Sequence, residues 1–437
     1  MQIPQFRQTV YQSFVRRADA GIDLLDALTA SGHLESVVSL SEVGLFRRKH
    51  SMVYDVLKHG RLDIQRIKRL MCAAQPEDAE QIGGYVVYAV DTTENERAEA
   101  HTLPDRGVLK ADQFDAIRFG HKYSWLVRLV EWGTSWTAPV DLCRVATQES
   151  ESRVAGEQVA ALARRDLRPK VITADSLYSN DKFLPVFAEL PNTHALIRMR
   201  STNVLWEKPP HSLQRRRGRQ PVHGAKFSLA QPSQAPQYAE HFQVGNRGVL
   251  AQAWAGLHFK KMPQITGSAI RIEFLRRDDT PCYARPIWLF WTGPQTMSLL
   301  YLCRMYMWRF AIEHTFRFLK QHMGLNVNRS TNLAHTQQWM WLCALGYWQL
   351  LLLRFQAADL RPAWYPKQVG THSRPLTPRL VQRQAQSLLL RLGTPAVPLR
   401  PAGKGFGRPF GFHPTPKPHF RVVKKTISTP SPPILTA

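Results

Sequence analysis

The sequence predicts a mixed α/β fold, and three strand-like runs with a helical segment among them carry this prediction. YVVYAV (85–90), HKYSWLVRLVEW (121–132) and KVITAD (170–175) are short, apolar and rich in β-branched and aromatic residues, as buried strands are. SRVAGEQVAALARRDL (152–167) has apolar residues at helical spacing. The order strand, strand, helix, strand is typical of a sheet flanked by helices.

The charge of the chain indicates a polyanionic partner. Its 437 residues include 58 Lys and Arg against 33 Asp and Glu, a formal net charge of +25. Cations placed beside phosphates release condensed counterions, so this surplus favours nucleic acid. A protein that is merely basic is the alternative. Because 44% of the residues are hydrophobic, the composition excludes a disordered chain. The length of 437 residues suits two or three domains.

The cysteines and the apolar runs predict a cytoplasmic protein. The five cysteines include no Cys-x-x-Cys pair, which is typical of reduced thiols packed as small apolar residues. The N-terminal residues lack the charged start and apolar run of a signal peptide. WMWLCALGYWQLLLL (339–353) is the most apolar stretch. It is shorter than the ~20 residues of a membrane span, so we predict a buried helix and no membrane partner.

The sequence pattern divides the chain into five segments. The first is predicted to be helical, with basic residues between the apolar positions; it is either a module that binds DNA ends or a helical cap on the next domain. Strand-like runs separated by Pro, Gly and Asn predict a β-rich insertion before the helices return. The predicted divisions are 1–80, a core in two parts at 81–195 and 292–355, the insertion at 196–291, and a tail at 356–437.

Two segments are strongly basic. QRRRGRQ (214–220), within the insertion, is either a loop that faces DNA or a solvated turn. The tail holds 14 of the 30 prolines and 13 Lys or Arg against one acid, Asp359, so it cannot bury much surface. One helix is predicted in it, PRLVQRQAQSLLLRL (378–392). We expect the rest to be an extended basic arm that touches DNA phosphates or stays mobile.

Two aspartates directly follow predicted strands. Asp91 comes after YVVYAV, and Asp175 comes after KVITA. Acids at the carboxyl ends of buried strands point into the crevice where open α/β sheets bind ligands. Each could instead cap a turn or the next helix, since Asp-Thr-Thr and Asp-Ser are good capping sequences. As a pair, they define one candidate site.

The segment YMWRFAIEHTFRFLK places one acid among cations on a predicted helix. At about 100° per residue, four side chains fall within roughly one-sixth of the helix circumference: Tyr306, Arg309, Glu313 and Lys320. Arg317 lies close to them, and an apolar stripe runs alongside. Glu313 could simply pair with Arg309 or Arg317 for about 0.3–0.5 kcal/mol. That pairing does not explain why Tyr306 and Lys320 are aligned with it.

These groups together suit the chemistry of phosphodiester bonds. Hard cations such as Mg²⁺ are held by a few carboxylates and complete their shells with phosphate oxygens and water. Two such ions, about 3.5–4 Å apart, clamp the attacking and leaving oxygens of an in-line displacement. Nearby Arg and Lys side chains hold the backbone in register. The sequence therefore predicts a site for phosphodiester chemistry.

The spacing Tyr306-x2-Arg309-x3-Glu313-x6-Lys320 resembles the Tyr-Arg-Glu-Lys motif of bacterial insertion-sequence transposases of the DDE class. The order of the parts is similar too: an Asp after a strand, a second Asp after another strand, a β-rich insertion, and a Glu on a helix. The resemblance covers roughly residues 85–325. It implies a ribonuclease H-like mixed sheet with flanking helices, interrupted by the insertion, behind an N-terminal helical domain.

The resemblance also implies roles for these residues. Asp91, Asp175 and Glu313 would be the catalytic carboxylates and would hold two Mg²⁺ or Mn²⁺ ions. Tyr306, Arg309 and Lys320 would contact DNA phosphates, with Arg317 beside them.

Three other residues are candidates for the site, two because of the same resemblance and one because it is close to Asp91 in the sequence. In relatives with a hairpin intermediate, an aromatic side chain of the insertion stacks on a flipped base. Trp254 or Trp206 could do so here, although packing in the core is the plainer expectation for both. Glu94 is a rival metal ligand, which we rank below Asp91 because it does not directly follow the predicted strand.

The implied activity is that of a DNA transposase. Water attacks the phosphodiester at the boundary of the mobile element, and the freed 3′-hydroxyl then attacks target DNA. The implied partners are double-stranded terminal repeats and target DNA in the bacterial nucleoid, with a homo-oligomer assembled on paired ends. One alternative is a nuclease on the same scaffold that cuts without joining. The other is a DNA-binding derivative that has lost catalysis, against which the intact acids argue.

Overall fold

The computed structural model of the chain describes residues 1–109, 117–210, 220–362, 364, 368–369, 372–373, 375–399, 407, 409–413 and 415–425. The basic run predicted at 214–220 lies outside these residues except for Gln220. Parts of the predicted tail lie outside them as well.

The helices of the described residues cluster in the N-terminal, central and C-terminal parts of the chain. In chain order they are α1 (Ile3–Ser13), α2 (Ala18–Ala30), α3 (Ser51–His59), α4 (Ile64–Ala73), α5 (Glu151–Arg165), α6 (Leu299–Trp308), α7 (Phe310–His322), α8 (Leu333–Leu353) and α9 (Pro378–Leu392).

Most of the strands belong to the middle of the chain. In chain order they are β1 (Phe14–Arg16), β2 (Arg61–Leu62), β3 (Gln81–Ile82), β4 (Tyr85–Glu96), β5 (Gly107–Val108), β6 (Phe119–Leu129), β7 (Thr137–Val145), β8 (Lys170–Ala174), β9 (Thr193–Met199), β10 (Val204–Glu207), β11 (Lys226–Ser228), β12 (Tyr238–Val244), β13 (Arg247–Phe259), β14 (Met262–Leu275), β15 (Ile287–Trp291), β16 (Gln368–Val369) and β17 (His372–Ser373).

Thirteen strands of the described residues form one mixed sheet. The main path is β11-β10-β13-β14-β15-β9-β8-β4-β6-β5, and β12, β3 and β7 pair with β13, β4 and β6. β8 is parallel to both β4 and β9, and the other pairs of this sheet are antiparallel. This mixed α/β sheet with flanking helices is the predicted fold class, which is thereby confirmed. The predicted start of the insertion, residue 196, falls inside β9, so the β-rich region continues the core sheet.

Strand β4 is longer than the sequence predicts. It reaches Glu96, because beyond the end of β8 it keeps pairing with β6, from Asp91 opposite Trp125 to Glu96 opposite Gly120. Asp91 therefore lies within a strand, and the prediction that it directly follows one is wrong. The position still matters, since it is where β4 loses its parallel neighbour and one side of the strand becomes open.

Alternate residues of β4 belong to two different cores. Val87 and Ala89 pack with the core that contains α7, α8 and the N-terminal helices. Val86 and Tyr88 pack with the core that contains α5. This alternation follows from the two-residue period of a strand. It places α5 and α7 on opposite faces of the sheet.

Helix α8 confirms the predicted buried helix at 339–353. Fifteen of its 21 residues are buried, including three tryptophans. Helix α2 packs against both α8 and α9, so the N-terminal helices cover this core, and DNA binding by them stays a prediction. Among the described residues, no helix is long and apolar enough to cross a membrane.

The C-terminal segment contains the predicted helix and an ordered extended strip. α9 spans Pro378–Leu392, the predicted bounds, and buries Val381, Ala385 and Leu389. Further on, the amide of Phe420 donates to the carbonyl of His101, at 2.8 Å, and residues 415–425 run beside the loop that follows β4. This part of the tail is therefore fixed to the core.

The predicted single helix over 306–320 is two helices. α6 ends at Trp308, α7 begins at Phe310, and Arg309 lies between them with helical dihedrals of −48° and −34°. The amide of Arg309 donates to the carbonyl of Tyr306 rather than to the residue four positions back, which tightens the turn there. The predicted helix face survives because the backbone at Arg309 stays helical.

Glu240, on strand β12 of the insertion, caps helix α6. Its carboxylate accepts hydrogen bonds from the amides of Leu299 and Leu300, at 3.1 and 3.2 Å, and from the hydroxyl of Ser298 at 3.2 Å. A carboxylate at a helix N-terminus satisfies free amides and the positive end of the dipole. The insertion therefore holds the helix that leads to Arg309.

Glu240→Ala should lower the free energy of unfolding by about 1–2 kcal/mol, because the amides at the start of α6 lose their cap. Urea denaturation measures this change. Glu157→Ala is a matched control, since Glu157 is an exposed acid of α5 that pairs with Arg153 at 3.0 Å; it should cost less than about 0.5 kcal/mol. Equal losses in the two variants would contradict the capping role.

Candidate active site

The register of β4 and β8 brings the two predicted aspartates together. Val86 lies opposite Lys170 and Ala89 lies opposite Thr173 in this parallel pair. Continued by two residues, the same register places Asp91 level with Asp175, which directly follows β8. Neighbouring strands are about 4.8 Å apart. The two aspartates therefore lie side by side, at the level where β8 ends.

Each aspartate also makes local hydrogen bonds. Asp175 Oδ1 accepts from the amide of Leu177 at 2.8 Å and begins a short 3₁₀ turn over Ser176–Tyr178. Asp91 Oδ1 accepts from the amide of Thr92 at 2.8 Å. The capping alternative raised from the sequence is therefore correct for Asp175, and it occupies only one of the two carboxylate oxygens.

Arg309 joins Asp91 to Glu313. Its Nη1 lies 3.5 Å from Asp91 Oδ2, and its Nη2 lies 3.0 Å from Glu313 Oε1. Arg309 is only 4% exposed, and its guanidinium lies over the ring of Phe310 at 5.0 Å from the ring centre. Glu313 is exposed, so the bridge spans the boundary between the protein interior and the surface. The predicted pairing of Glu313 with Arg309 is present.

The charges at this site act on one another. Burial raises the pKa of the Asp91 carboxyl from 3.8 to about 6, although the Arg309 guanidinium opposes the rise. The nearby Asp175 and Glu313 carboxylates raise this pKa further. The charges of three acids that lie far apart in the sequence therefore influence one another, and Arg309 is the counter-charge between Asp91 and Glu313.

The raised pKa of Asp91 predicts a stability that falls as pH rises. Between about pH 4 and 6 folded Asp91 keeps a proton that the unfolded chain releases, so the native state binds more protons and loses stability across that interval. Without divalent metal at pH 7, Asp91→Asn should be more stable than wild type by about 1–3 kcal/mol. Urea denaturation at several pH values tests this, and a gap that does not widen with pH would contradict it.

The fit of these residues to a metal ion is partial. Carboxylate oxygens are the ligands that Mg²⁺ and Mn²⁺ prefer, and the carboxylates of Asp175 and Glu313 lie near enough to Asp91 to raise its pKa. Among the described residues, however, no group of three or more His, Cys, Asp or Glu side chains stands close enough to hold a metal. Arg309 supplies positive charge between Asp91 and Glu313 instead.

The other residues of the predicted motif differ in accessibility. Tyr306 is 1% exposed, and burial raises the pKa of its hydroxyl; the hydroxyl is not at the surface in this structure. Arg317 and Lys320 are exposed on α7. Lys320 is exposed overall, but partial desolvation of its ammonium lowers its pKa, and the carboxylate of Glu94 opposes this. Lys320 therefore faces the part of β4 near Glu94, whereas Arg309 faces the part at Asp91.

The rival ligand and the two tryptophans have distinct surroundings. Glu94 lies 3.2 Å from Arg118, so it belongs to an ion pair farther along β4. Trp254 is 3% exposed and its indole donates to the carbonyl of Gln234 at 3.0 Å, as expected of a core residue. Trp206 is half-buried, and Lys226 and Lys260 lie over its ring at 5.4 and 5.8 Å. Trp206 is thus the more accessible of the two.

The sequence did not indicate two positioning residues, Tyr178 beside the site and Glu240 at the start of α6. The hydroxyl of buried Tyr178 lies 3.1 Å from Thr92 Oγ1, and it ties the turn after Asp175 to the strand of Asp91. Burial raises the pKa of this hydroxyl well above its ordinary value. The only feature of the sequence that points to Tyr178 is its position three residues after Asp175. No such feature points to Glu240, because its contact with α6 depends on the fold.

Comparison with known protein families gives one match. A family model described as DDE superfamily endonuclease matches residues 9–258, more than half of the chain. The matched range includes Asp91 and Asp175 and ends before Glu313. A search of the curated proteins found no match to the chain.

Proposed function

The chain belongs to the DDE superfamily of endonucleases, and on that premise we propose that it is a DNA transposase of the Tyr-Arg-Glu-Lys type. It would cut phosphodiester bonds at the ends of an insertion sequence and join the 3′-hydroxyl ends to target DNA. The observation that carries the proposal is the register that sets Asp91 level with Asp175, together with the Arg309 bridge from Asp91 to Glu313.

In this proposal the residues of the site have separate tasks. Asp91, Asp175 and Glu313 would hold the divalent ions that this family generally uses, two per site. When bound, such ions would supply the charge that activates the attacking oxygen and stabilises the leaving one. Arg309 pairs with Asp91 and Glu313 until a DNA phosphate competes for its guanidinium, since arginine binds phosphate and carboxylate with the same fork of donors.

The exposed cations of α7 have the task of holding DNA. Arg317 and Lys320 lie on the surface beyond Glu313, where they would contact the backbone next to the cut bond. Tyr306 supports Arg309 from beneath, its ring centre 5.7 Å from the guanidinium carbon. A homo-oligomer on paired ends follows from the proposed activity, because two ends must be cut and joined together.

A joining assay tests the proposal. The purified protein, Mg²⁺ or Mn²⁺, precut DNA ends from the region flanking its gene, and a target plasmid are incubated together. We expect joined product in which the 3′ ends of the element are linked to the plasmid. Cleavage without joining would favour a nuclease on this scaffold. Binding without cleavage or joining would favour an inactive derivative.

A further inference from the structure

A cleft with a largely apolar lining lies near the carboxyl end of β4, beyond Asp91. It has a volume of about 600 Å³ and is bounded by α3, the loop between α7 and α8, and the tail near Lys417. Its apolar lining includes Val37 and Leu57, which are buried, and Val327. Lys58, Arg329 and Lys417 also line the cleft, which therefore combines an apolar floor with a positive rim.

The cations of the rim are available to a ligand. Lys58, Arg329 and Lys417 are exposed, and in the described part of the chain neither Lys58 nor Arg329 forms an ion pair. Lys417 donates to the neutral hydroxyl of Thr331 at 3.1 Å. Glu35 is the single acid among the described lining residues. The rim therefore carries an uncompensated positive charge.

Nearby acids do not cancel this charge. Asp55, on the same helix as Lys58, already pairs with Arg17 and His59, each at 2.7 Å. The N-terminus of α8 adds to the positive potential, because its cap Asn332 and His335 both line the cleft. Tyr54 is 52% exposed beside them. Cations, a helix N-terminus and an aromatic ring on an apolar floor match a sugar–phosphate backbone.

The cleft is rigidly joined to the strand of Asp91. Arg97, which follows β4, donates to the carbonyls of Asn328 and Ser330 at 2.6 and 2.7 Å. Six strand residues at ~3.3 Å each separate Asp91 from Arg97 by about 20 Å. Duplex DNA advances ~3.4 Å per base pair, so this distance corresponds to about six base pairs.

We propose that this cleft binds the phosphate backbone of the same duplex DNA that reaches Asp91 and Asp175. The inference rests on the proposed function, which sets the path that this DNA takes across the protein. The affinity of the cleft for DNA does not depend on catalysis, however, and can be measured separately.

The test compares two double variants. Lys58→Ala/Arg329→Ala removes two exposed cations of the cleft. Arg153→Ala/Arg164→Ala removes two exposed cations of α5, on the opposite face of the sheet. A fluorescent DNA duplex of arbitrary sequence is titrated with each protein over a range of salt concentrations, without divalent metal. Thermal unfolding verifies that all the proteins are folded.

We expect the cleft variant to raise the Kd at least about tenfold and to make the slope of log K against log salt shallower by about two. The control should change the Kd by no more than about twofold. Equal effects of the two double variants would overturn the inference. A loss of affinity seen only with a single-stranded DNA probe, and not with the duplex, would overturn it as well. A wild-type protein that binds the duplex but never cuts DNA would count against the proposed function alone.

Discussion

Asp175→Asn should reduce DNA cleavage by roughly a thousandfold or more, the scale on which a single catalytic group acts. The amide cannot replace a carboxylate as a ligand for a hard cation of high charge. The change should leave the fold intact, because the side-chain oxygen of Asn can still accept from the amide of Leu177, the contact that Asp175 makes at 2.8 Å. Nicking of supercoiled plasmid in Mg²⁺ measures cleavage.

DNA binding should survive this substitution. Removing a negative charge near a phosphate backbone leaves affinity unchanged or slightly higher, as a titration without metal would show. Asp181→Asn is the matched control, since Asp181 follows the same turn, is half exposed and lies 3.8 Å from Lys261; it should cut at the wild-type rate. Cleavage by Asp175→Asn at the wild-type rate would remove Asp175 from the site. Loss of binding would assign it a structural role.

Local patterns predicted the elements whose signals lie within a few residues. Helix α9 has the predicted bounds because its apolar residues recur at helical spacing and Pro378 begins it. Strand β7 was missed because Pro139 and Asp141 interrupt its apolar pattern. In the fold, Pro139 lies at an irregularity of the pairing with β6, where a missing amide is tolerated. Asp141 is neutralised by Lys68 at 2.6 Å.

The sequence alone suggests members for the candidate site but not the contacts between them. Predicted strand ends and helix spacing single out Asp91, Asp175 and Glu313 as candidates. Strand β4 continues past Asp91 because it pairs with β6. The local sequence pattern does not encode this pairing. The contact of Arg309 with Asp91 joins residues 218 positions apart. A helix projection gives the direction of a side chain but not how deeply the side chain is buried. It therefore could not predict that Tyr306 and Arg309 are buried while Lys320 is exposed.

Arg309→Gln should change metal binding and catalysis in opposite directions. In the free protein Arg309 holds positive charge against Asp91 and Glu313, and a divalent ion entering there is repelled by it. A unit charge about 5 Å from a divalent ion costs on the order of 1–2 kcal/mol even in water. The variant should therefore bind Mn²⁺ at least about tenfold more tightly without DNA, as isothermal titration calorimetry or Mn²⁺ paramagnetic resonance would measure.

Cleavage by the same variant should fall by about a hundredfold or more, because the site loses the charged donor that we propose binds the DNA phosphate. Arg317→Gln is the control: it removes an exposed cation from the same helix and should leave Mn²⁺ affinity within about twofold, since charges at the surface are screened. Tighter metal binding with unchanged cleavage would limit Arg309 to a balancing charge. Unchanged metal binding would mean that Asp91 and Glu313 do not share an ion, which would overturn the assignment of the site.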